Sequence, residues 1–305
     1  MKGHITDKKK KSEKKGAVKR IFLGALLIGI GALILGGCGS STEETQSEQE
    51  KTASAKKEDD KIQIGLTVDS FVIERWIRDR DVFVATAREM GADVNVQDAG
   101  ADAKEQISQI EYFISKQVDV IVVIARDCAA LSDVIQKAQN AGIPVISYDR
   151  MINNSNTNLY ISFDNRKVGE IMAQALIDAI PQGGDIFMIQ GSSTDNNVHM
   201  LKKGFDDVLK NSDLNVVYEA NCEGWMAELA EGYMEEALEK YPHVKGIMCG
   251  NDDIASQVVE VLAENQLAGD VIVVGQDGDL AACQRIVEGT QYMTAFKPIE
   301  DLARE

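Results

Sequence analysis

The stretch EQISQIEYFISKQVDVIVVI, residues 105–124, contains two hydrophobic patterns in direct succession. In its first part Ile107, Ile110, Phe113 and Ile114 recur at the three- and four-residue spacing of a helix that buries one face. The second part, VDVIVVI at 118–124, is an almost continuous apolar run rich in β-branched residues, which is typical of a strand buried on both faces. The stretch therefore predicts a helix followed by a strand of a parallel sheet.

The same pair of patterns repeats along the rest of the chain. Further strand patterns are IQIGLTV, ADVNVQ, IPVISY, GDIFMIQ, LNVVYEA, VKGIMCG and DVIVVG, and helical patterns lie near 166–180, 197–211, 227–240 and 254–266. Roughly nine or ten such strands exceed one compact sheet, and a break falls around MINNSNTNLYISFDN. We therefore predict an α/β fold of two doubly wound parallel-sheet lobes joined by a hinge. The predicted lobes are 61–163, completed by 297–305, and 164–296.

The start of the chain has the composition of an export signal. Residues 1–37 carry nine Lys or Arg against two acidic residues and end in a 17-residue uncharged run directly before Cys38. This order predicts an export signal at 1–37, and LGGC resembles the bacterial lipobox, in which the cysteine is diacylated and becomes the new N-terminus. The alternative is an uncleaved membrane anchor, because the apolar run is nearly long enough to span a bilayer. Both interpretations place the folded part outside the cytoplasmic membrane.

The remainder of the chain is acidic. The formal net charge of the whole chain is −17, so the residues after 37 carry −24. A surface of this charge repels nucleic acid, and we expect no nucleic-acid partner. Residues 38–60 contain no aromatic or large aliphatic side chain, so we predict a disordered polar tether with a reach of about 26 Å.

The sequence offers no pattern for metal, cofactor or enzyme chemistry. Four cysteines are scattered at 128, 222, 249 and 283, and we expect free, partly buried thiols rather than disulfides. The three histidines lie far apart, and there is no GxSxG, GxxxxGK[ST] or strand-following GxGxxG motif. We therefore predict a protein that is not an enzyme and that needs no metal or cofactor.

Polar side chains follow nearly every predicted strand. They are Asp69, Asp98, Arg126 with Asp127, Asp149 with Arg150, Asp195 with Asn196 and Asn197, Asn221, Asn251 with Asp252, and Gln276 with Asp277. Ligands of open parallel sheets bind beyond the carboxyl ends of the strands, which is where these residues should lie. Asp and Asn are also common helix N-caps, so each of them has two open interpretations. Arginine does not act as an N-cap, which favours a functional role for Arg126 and Arg150.

The residue types at these ends suit an uncharged, hydroxyl-rich ligand. Carboxylates, amides and guanidinium groups offer paired acceptors and donors for hydroxyl groups. The only two tryptophans, Trp76 and Trp225, follow the ends of a strand in each predicted lobe and could pack on the apolar face of a sugar ring. Core packing is the alternative for both. The sequence thus predicts a neutral ligand held between two lobes.

Several motifs together resemble a known family. In order, ERWIRDRD, YDRMIN, YISFDN, KVGE, DNN, NDD, GQDGDLA and GTQYMTAFKPI are similar to the D-xylose-binding proteins of bacterial ABC importers, a branch of the type I periplasmic-binding-protein family. The resemblance runs from about residue 62 to 305. It implies a monomeric receptor that closes on a monosaccharide and delivers it to an ABC permease. Matching the family's motifs position by position, the implied ligand-binding residues are Arg75, Trp76, Asp149, Arg150, Asp195, Asn197, Trp225, Asn251, Asp277 and Lys297.

The chain departs from this family at two places. ARDCAAL after the third strand replaces a neutral turn and adds Arg126 and Asp127 near the cleft. Relatives also continue for several tens of residues beyond the final DLARE, so we expect a truncated C-terminal end.

We predict a lipid-anchored extracytoplasmic receptor for D-xylose or a close aldose, hinged near 163–165 and 295–298. The alternative is a sensory subunit that presents the sugar to a membrane histidine kinase or chemoreceptor. A sugar-responsive repressor is disfavoured, because a signal and a tether occupy the place of a DNA-binding domain. A glycosidase is disfavoured too, because no pair of carboxylates stands out as acid and base.

Overall fold

The computed structural model describes residues 61–305. The predicted signal, tether and Cys38 lie outside these residues. Within 61–305, no helix combines the length and the apolar character needed to cross a bilayer.

Within residues 61–305, ten strands form two separate five-stranded sheets. The strands are β1 (Ile62–Val68), β2 (Ala92–Asp98), β3 (Val120–Ile124), β4 (Val145–Tyr148), β5 (Leu159–Ile161), β6 (Gly184–Gln190), β7 (Leu214–Asn221), β8 (Gly246–Cys249), β9 (Ile272–Asp277) and β10 (Met293–Phe296). The first sheet has the order β2-β1-β3-β4-β5 and the second β10-β9-β8-β6-β7. All neighbouring strands in both sheets are parallel. We call the parts built on them the first and the second lobe.

Helices alternate with the strands, as is usual for a parallel sheet, except between β4 and β5, which a segment without a helix connects. They are α1 (Glu74–Glu89), α2 (Ala103–Lys116), α3 (Ser132–Asn140), α4 (Asn165–Ala179), α5 (Asn196–Leu209), α6 (Leu229–Lys240), α7 (Asp252–Glu264), α8 (Leu280–Glu288) and α9 (Ile299–Arg304). The last of them packs against α1, so the chain returns to the first lobe at its end. The helical patterns found in the sequence differ from these bounds by at most two residues.

Side chains from both faces of each sheet are buried, which explains the continuous apolar strands. On the first sheet, Ile110 and Phe113 of α2 are fully buried against one face. The aromatic ring of Phe113 lies so close to β1 that a Cβ on Gly65 would approach it to 2.6 Å. In the second lobe, Gly204 of α5 allows an equally close helix contact, because its Cβ would lie 1.9 Å from the carbonyl oxygen of Arg166 in α4.

Two strands were not recognised in the sequence. β5 lies inside the segment that we interpreted as the break between lobes, and it extends the first sheet by pairing with β4. β10 pairs with β9 at the edge of the second sheet. Both are short edge strands, with three and four residues. A run of this length has too few residues to show a buried-strand pattern.

All four cysteines within the described part of the chain are free. Cys222 and Cys249 are buried and Cys128 is partly buried, as expected for small apolar side chains, whereas Cys283 on α8 is exposed.

Candidate functional site

All ten candidate residues line one cavity between the two lobes. The cavity volume is about 20 Å³, which is room for about one water molecule. A ligand larger than water can therefore enter only when the lobes move apart. The full set of lining residues is Ile73, Arg75, Trp76, Asp149, Arg150, Asp195, Asn197, Trp225, Asn251, Gln276, Asp277 and Lys297.

Arg75, on the first turn of α1, is the centre of a charged network. Its side chain is 3% exposed and pairs with Asp79, one turn further along α1, at 3.0 Å. The guanidinium also bonds to the Asp149 carboxylate and lies 3.6 Å from Asp277 of the second lobe. Its central carbon is 4.5 Å from the ring centre of Trp76. Arg75 therefore joins carboxylates from both lobes and supports an indole face.

Arg150, two residues after β4, makes a second link between the lobes. Its Nη1 donates to Asp69 in the first lobe at 2.6 Å, and its Nε lies 2.7 Å from Asp195 in the second. The guanidinium carbon lies 5.2 Å from the ring centre of Trp76 and 5.6 Å from that of Trp225. Both indoles thus flank a buried cation at the cavity.

Two residues of the second lobe are helix N-caps and cavity residues at once. Asp195 accepts a hydrogen bond from the Asn197 backbone N–H at the start of α5 and another from Trp225 Nε1 at 3.2 Å. Asn251 accepts from the Ile254 backbone N–H at the start of α7. The two interpretations that the sequence left open are therefore compatible, because each side chain has oxygen lone pairs to spare.

Lys297, directly after β10, and Asp277, the last residue of β9, complete the lining of the cavity. Lys297 Nζ lies 3.2 Å from Asp277 Oδ1, and both side chains are about 5% exposed or less. Asn197 Nδ2 reaches across to donate to Asp149 Oδ1 at 2.8 Å. This bond is a direct contact between the lobes.

Three of the cavity residues have an unusual backbone. The φ angles are +61° at Asp149, +59° at Trp225 and +109° at Asp277. Residues with a side chain rarely adopt such angles, and each costs on the order of 1 kcal/mol. The surrounding contacts hold these residues in place, which fixes the direction in which their side chains point.

Neighbouring cations decide the charge of Asp149. Burial by itself raises the pKa of this carboxyl group, but Arg75, Lys297 and Arg150 outweigh burial and hold the pKa below its usual value. Asp149 is therefore an anion that only accepts hydrogen bonds at neutral pH. Over the whole lining, three cations (Arg75, Arg150 and Lys297) face three carboxylates (Asp149, Asp195 and Asp277). This balance favours a ligand without net charge.

Five buried polar atoms of the lining have no hydrogen-bond partner among the described residues. They are Trp76 Nε1 and Arg150 Nη2 in the first lobe and Asn197 Oδ1, Gln276 Oε1 and Asp277 Oδ1 in the second. Of these, Asp277 Oδ1 has an ion-pair partner, Lys297 Nζ, at 3.2 Å. An unpaired buried polar atom costs about 1–3 kcal/mol. The two donors lie in one lobe and the three acceptors in the other. A hydroxyl group, which accepts and donates, can pair with both.

A group of carboxylates also joins the lobes next to Arg75. Glu74 from α1 and Asp253 and Asp279 from the second lobe have oxygens within 4.8 Å of one another. The Glu74 backbone N–H donates to Asp253 at 3.2 Å, and Arg78 pairs with Asp279. Burial, together with the nearby Asp277, raises the pKa of Asp279 to about 8. This contact is therefore sensitive to pH.

Other strand-end residues have structural roles. Asp98 and Asp127 accept hydrogen bonds from backbone N–H groups two or three residues further on. Asn221 donates to the carbonyl of Gly191. Gln276 and Ile73 line the cavity although we had not proposed them as site residues. Gln276 was among the strand-end residues, whereas an isoleucine carries no signal for a polar site.

The comparisons with known proteins identify the family of this chain. Residues 64–305 match the periplasmic binding protein domain family. The chain is 42% identical over 247 residues to the D-xylose-binding periplasmic proteins of Haemophilus influenzae and Escherichia coli, which covers 79% of this chain and 74% of each relative. The resemblance inferred from the motifs is thereby confirmed.

The fold is shared with solved binding proteins. A solute-binding protein of an ABC transporter from Clostridium phytofermentans, with bound β-D-glucose, superimposes with a TM-score of 0.74 at 28% identity over 79% of this chain and 81% of that one. A protein of the same class from Actinobacillus succinogenes, with bound D-allose, gives 0.75 at 27% identity over 80% and 88%. These matches confirm the predicted fold class. The chain therefore belongs to the periplasmic binding protein domain family, whose members bind solutes and are not enzymes.

Proposed function

We propose that this protein is an extracytoplasmic sugar-binding protein that takes D-xylose or a close aldose into the cleft and delivers it to an ABC permease. The five polar atoms of the lining that have no hydrogen-bond partner among the described residues support the proposal. Donors from the first lobe and acceptors from the second would both be satisfied by hydroxyl groups of one ligand. Such a ligand links the lobes through its own hydrogen bonds.

The ligand class follows from the charge and shape of the lining. Equal numbers of cations and carboxylates favour a neutral molecule over an anion such as a phosphate. Trp76 and Trp225 supply flat faces for the C–H groups of a ring. The xylose-binding relatives and the structural neighbours with bound glucose and allose support an aldose.

Binding works through a population shift. The lobes, which we place at 61–163 with 297–305 and at 164–296, would separate around hinges near 163–165 and 295–298. The sugar stabilises the closed form because only that form brings both halves of the lining to its hydroxyl groups. A permease that docks the closed form would then receive loaded protein.

Isothermal titration of the full-length protein with D-xylose, D-ribose, D-glucose and D-galactose tests the proposal. We expect the tightest binding for D-xylose. The variant Asp149→Asn should weaken binding at least about 30-fold, because it breaks a buried pair with Arg75. Asp133→Asn, an exposed change on α3, is the matched control. No heat from any of the four sugars with folded protein would contradict the proposal.

Lipid anchoring through Cys38 is a separate part of the proposal. It rests on the basic start of the chain, the 17-residue uncharged run and the LGGC sequence. Mass spectrometry of the protein from a bacterial membrane should find Cys38 as the first residue, carrying a diacylglyceryl group. An unprocessed N-terminus on the membrane-bound protein would instead support an uncleaved anchor.

A further inference from the structure

A second contact joins the lobes away from the cavity. Arg126, two residues after β3, donates from Nη1 to the carbonyl oxygen of Gly224 in the second lobe at 3.3 Å. Two residues later the Cys128 backbone N–H donates to the Thr194 carbonyl oxygen at 3.2 Å. We call these four residues the clasp. They lie outside the set of residues that line the cavity.

Gly224 allows the Arg126 side chain to come close to the backbone of the second lobe. A Cβ on Gly224 would lie 2.7 Å from Arg126 Nη2, and the φ angle of Gly224 is +66°. Glycine therefore suits this position for its backbone angle and for the space it leaves. The turn that receives the guanidinium carries Trp225 as its next residue, so the contact lies directly beside a cavity side chain.

Arg126 is also connected to the site through Asp69. Asp69 Oδ1 lies 3.5 Å from Arg126 Nη1, while Oδ2 accepts from Arg150 Nη1 at 2.6 Å. The carboxylate thus belongs to the first lobe and orients both arginines. Separation of the lobes would leave the Asp69 contact in place and break the one to Gly224.

We propose that Arg126 is a positioning residue that stabilises the closed form without touching the ligand, so that it sets the rate at which the ligand leaves. This inference rests on the proposed binding of a sugar between the lobes. A contact that forms only on closure favours the closed population. Since the contact is absent while ligand first meets the open cleft, it acts on dissociation rather than association.

Stopped-flow fluorescence with D-xylose tests the inference on the full-length protein in detergent. The signal comes from Trp76 and Trp225, the only tryptophans of the chain. Arg126→Met keeps the apolar stem and removes the donors. We expect the dissociation rate to rise about fivefold, because the side chain is only 21% exposed, and the association rate to change less than about twofold. An unchanged dissociation rate, or an equal fall in association, would overturn the inference.

Matched variants separate the clasp from a general loss of charge or packing. Arg88→Gln, an exposed arginine at the end of α1, should leave both rates unchanged. Gly224→Ala should speed dissociation in the wild-type background, because the added Cβ meets the guanidinium. With Arg126→Met already present, the same change should have a smaller effect. Purely additive effects of the two variants would overturn the inference.

A measurement without ligand distinguishes this inference from the proposed function. Trp76 and Trp225 are 2% and 6% exposed, so opening of the cleft makes them accessible to acrylamide. Arg126→Met should increase quenching of the free protein relative to wild type and Arg88→Gln. If the wild-type protein binds no D-xylose, the proposed function is wrong, but the quenching comparison still tests the role of the clasp. Equal quenching of Arg126→Met and of the wild-type protein would overturn the inference. Should Arg126→Met not fold, Arg126→Lys replaces it, with a rise in dissociation rate of about twofold.

Discussion

At Gly191, directly after β6, a single added methyl group should displace a side chain of the site. A Cβ at this position would lie 2.3 Å, 2.4 Å and 2.5 Å from three atoms of the six-membered ring of Trp225. Ordinary contacts of a Cβ begin at 3.4 Å. In Gly191→Ala the indole must therefore move by about 1 Å, and the cavity of about 20 Å³ that it lines gives it little room.

The cost has two parts that can be measured separately. Overpacking of this size destabilises a protein by about 1–3 kcal/mol, which urea unfolding measures. A comparable loss of binding free energy weakens D-xylose binding by about 5-fold to 150-fold, which isothermal titration measures. The hydrogen bond from Trp225 Nε1 to Asp195, 3.2 Å long, should also be lost.

Gly232→Ala is the matched control. Gly232 is exposed in α6 and a Cβ there would meet no atom within 4 Å. This change should leave binding intact and raise stability by about 0.5–1 kcal/mol, because alanine favours a helix. If Gly191→Ala binds D-xylose as tightly as Gly232→Ala does, the assigned position of Trp225 in the site is wrong.

Three further variants test other parts of the account. Arg75→Met leaves Asp79, Asp149 and Asp277 without their shared cation, so it should lower the free energy of unfolding by about 3–5 kcal/mol. A loss below about 1 kcal/mol in urea unfolding would contradict the stabilising role of this charged network. Gly204→Ala should lower the free energy of unfolding by about 1–3 kcal/mol, because the added Cβ forces α4 and α5 apart. The affinity for D-xylose should stay unchanged in titration, and a weakened affinity would show that this helix contact shapes the site. Asp279 holds a proton in the folded protein up to about pH 8, whereas a carboxyl group of the unfolded chain loses its proton near pH 4. Because the folded state binds the proton more tightly, the free energy of unfolding should fall as the pH rises between these values. Thermal midpoints between about pH 6 and pH 8 should fall more steeply in wild type than in Asp279→Asn, and parallel curves would contradict the assignment.

The sequence predicts the sheets well where strands are buried on both faces. Runs such as VDVIVVI and GDIFMIQ have one interpretation, because a continuous β-branched run fits neither a surface helix nor a loop. β5 and β10 were missed because each is defined by pairing with a neighbour, which a short run of residues does not reveal.

Part of the candidate site could be predicted because the carboxyl ends of parallel strands lie at one edge of the sheet. Asp149, Arg150 and Asp277 follow from that rule alone. The positive φ angles of Asp149, Trp225 and Asp277 were not predictable, since these residue types rarely adopt them and tertiary contacts impose them here. The space that Gly191 leaves for Trp225 likewise depends on a contact between residues 34 positions apart.

A crystal structure of the full-length protein grown with D-xylose tests the central claim most directly. The account predicts a pentose in the cavity between the lobes, with its hydroxyl groups hydrogen-bonded to Asp149 or Arg150 on one side and to Asn251 or Asp277 on the other. A sugar bound to one lobe only, or outside this cavity, would contradict it.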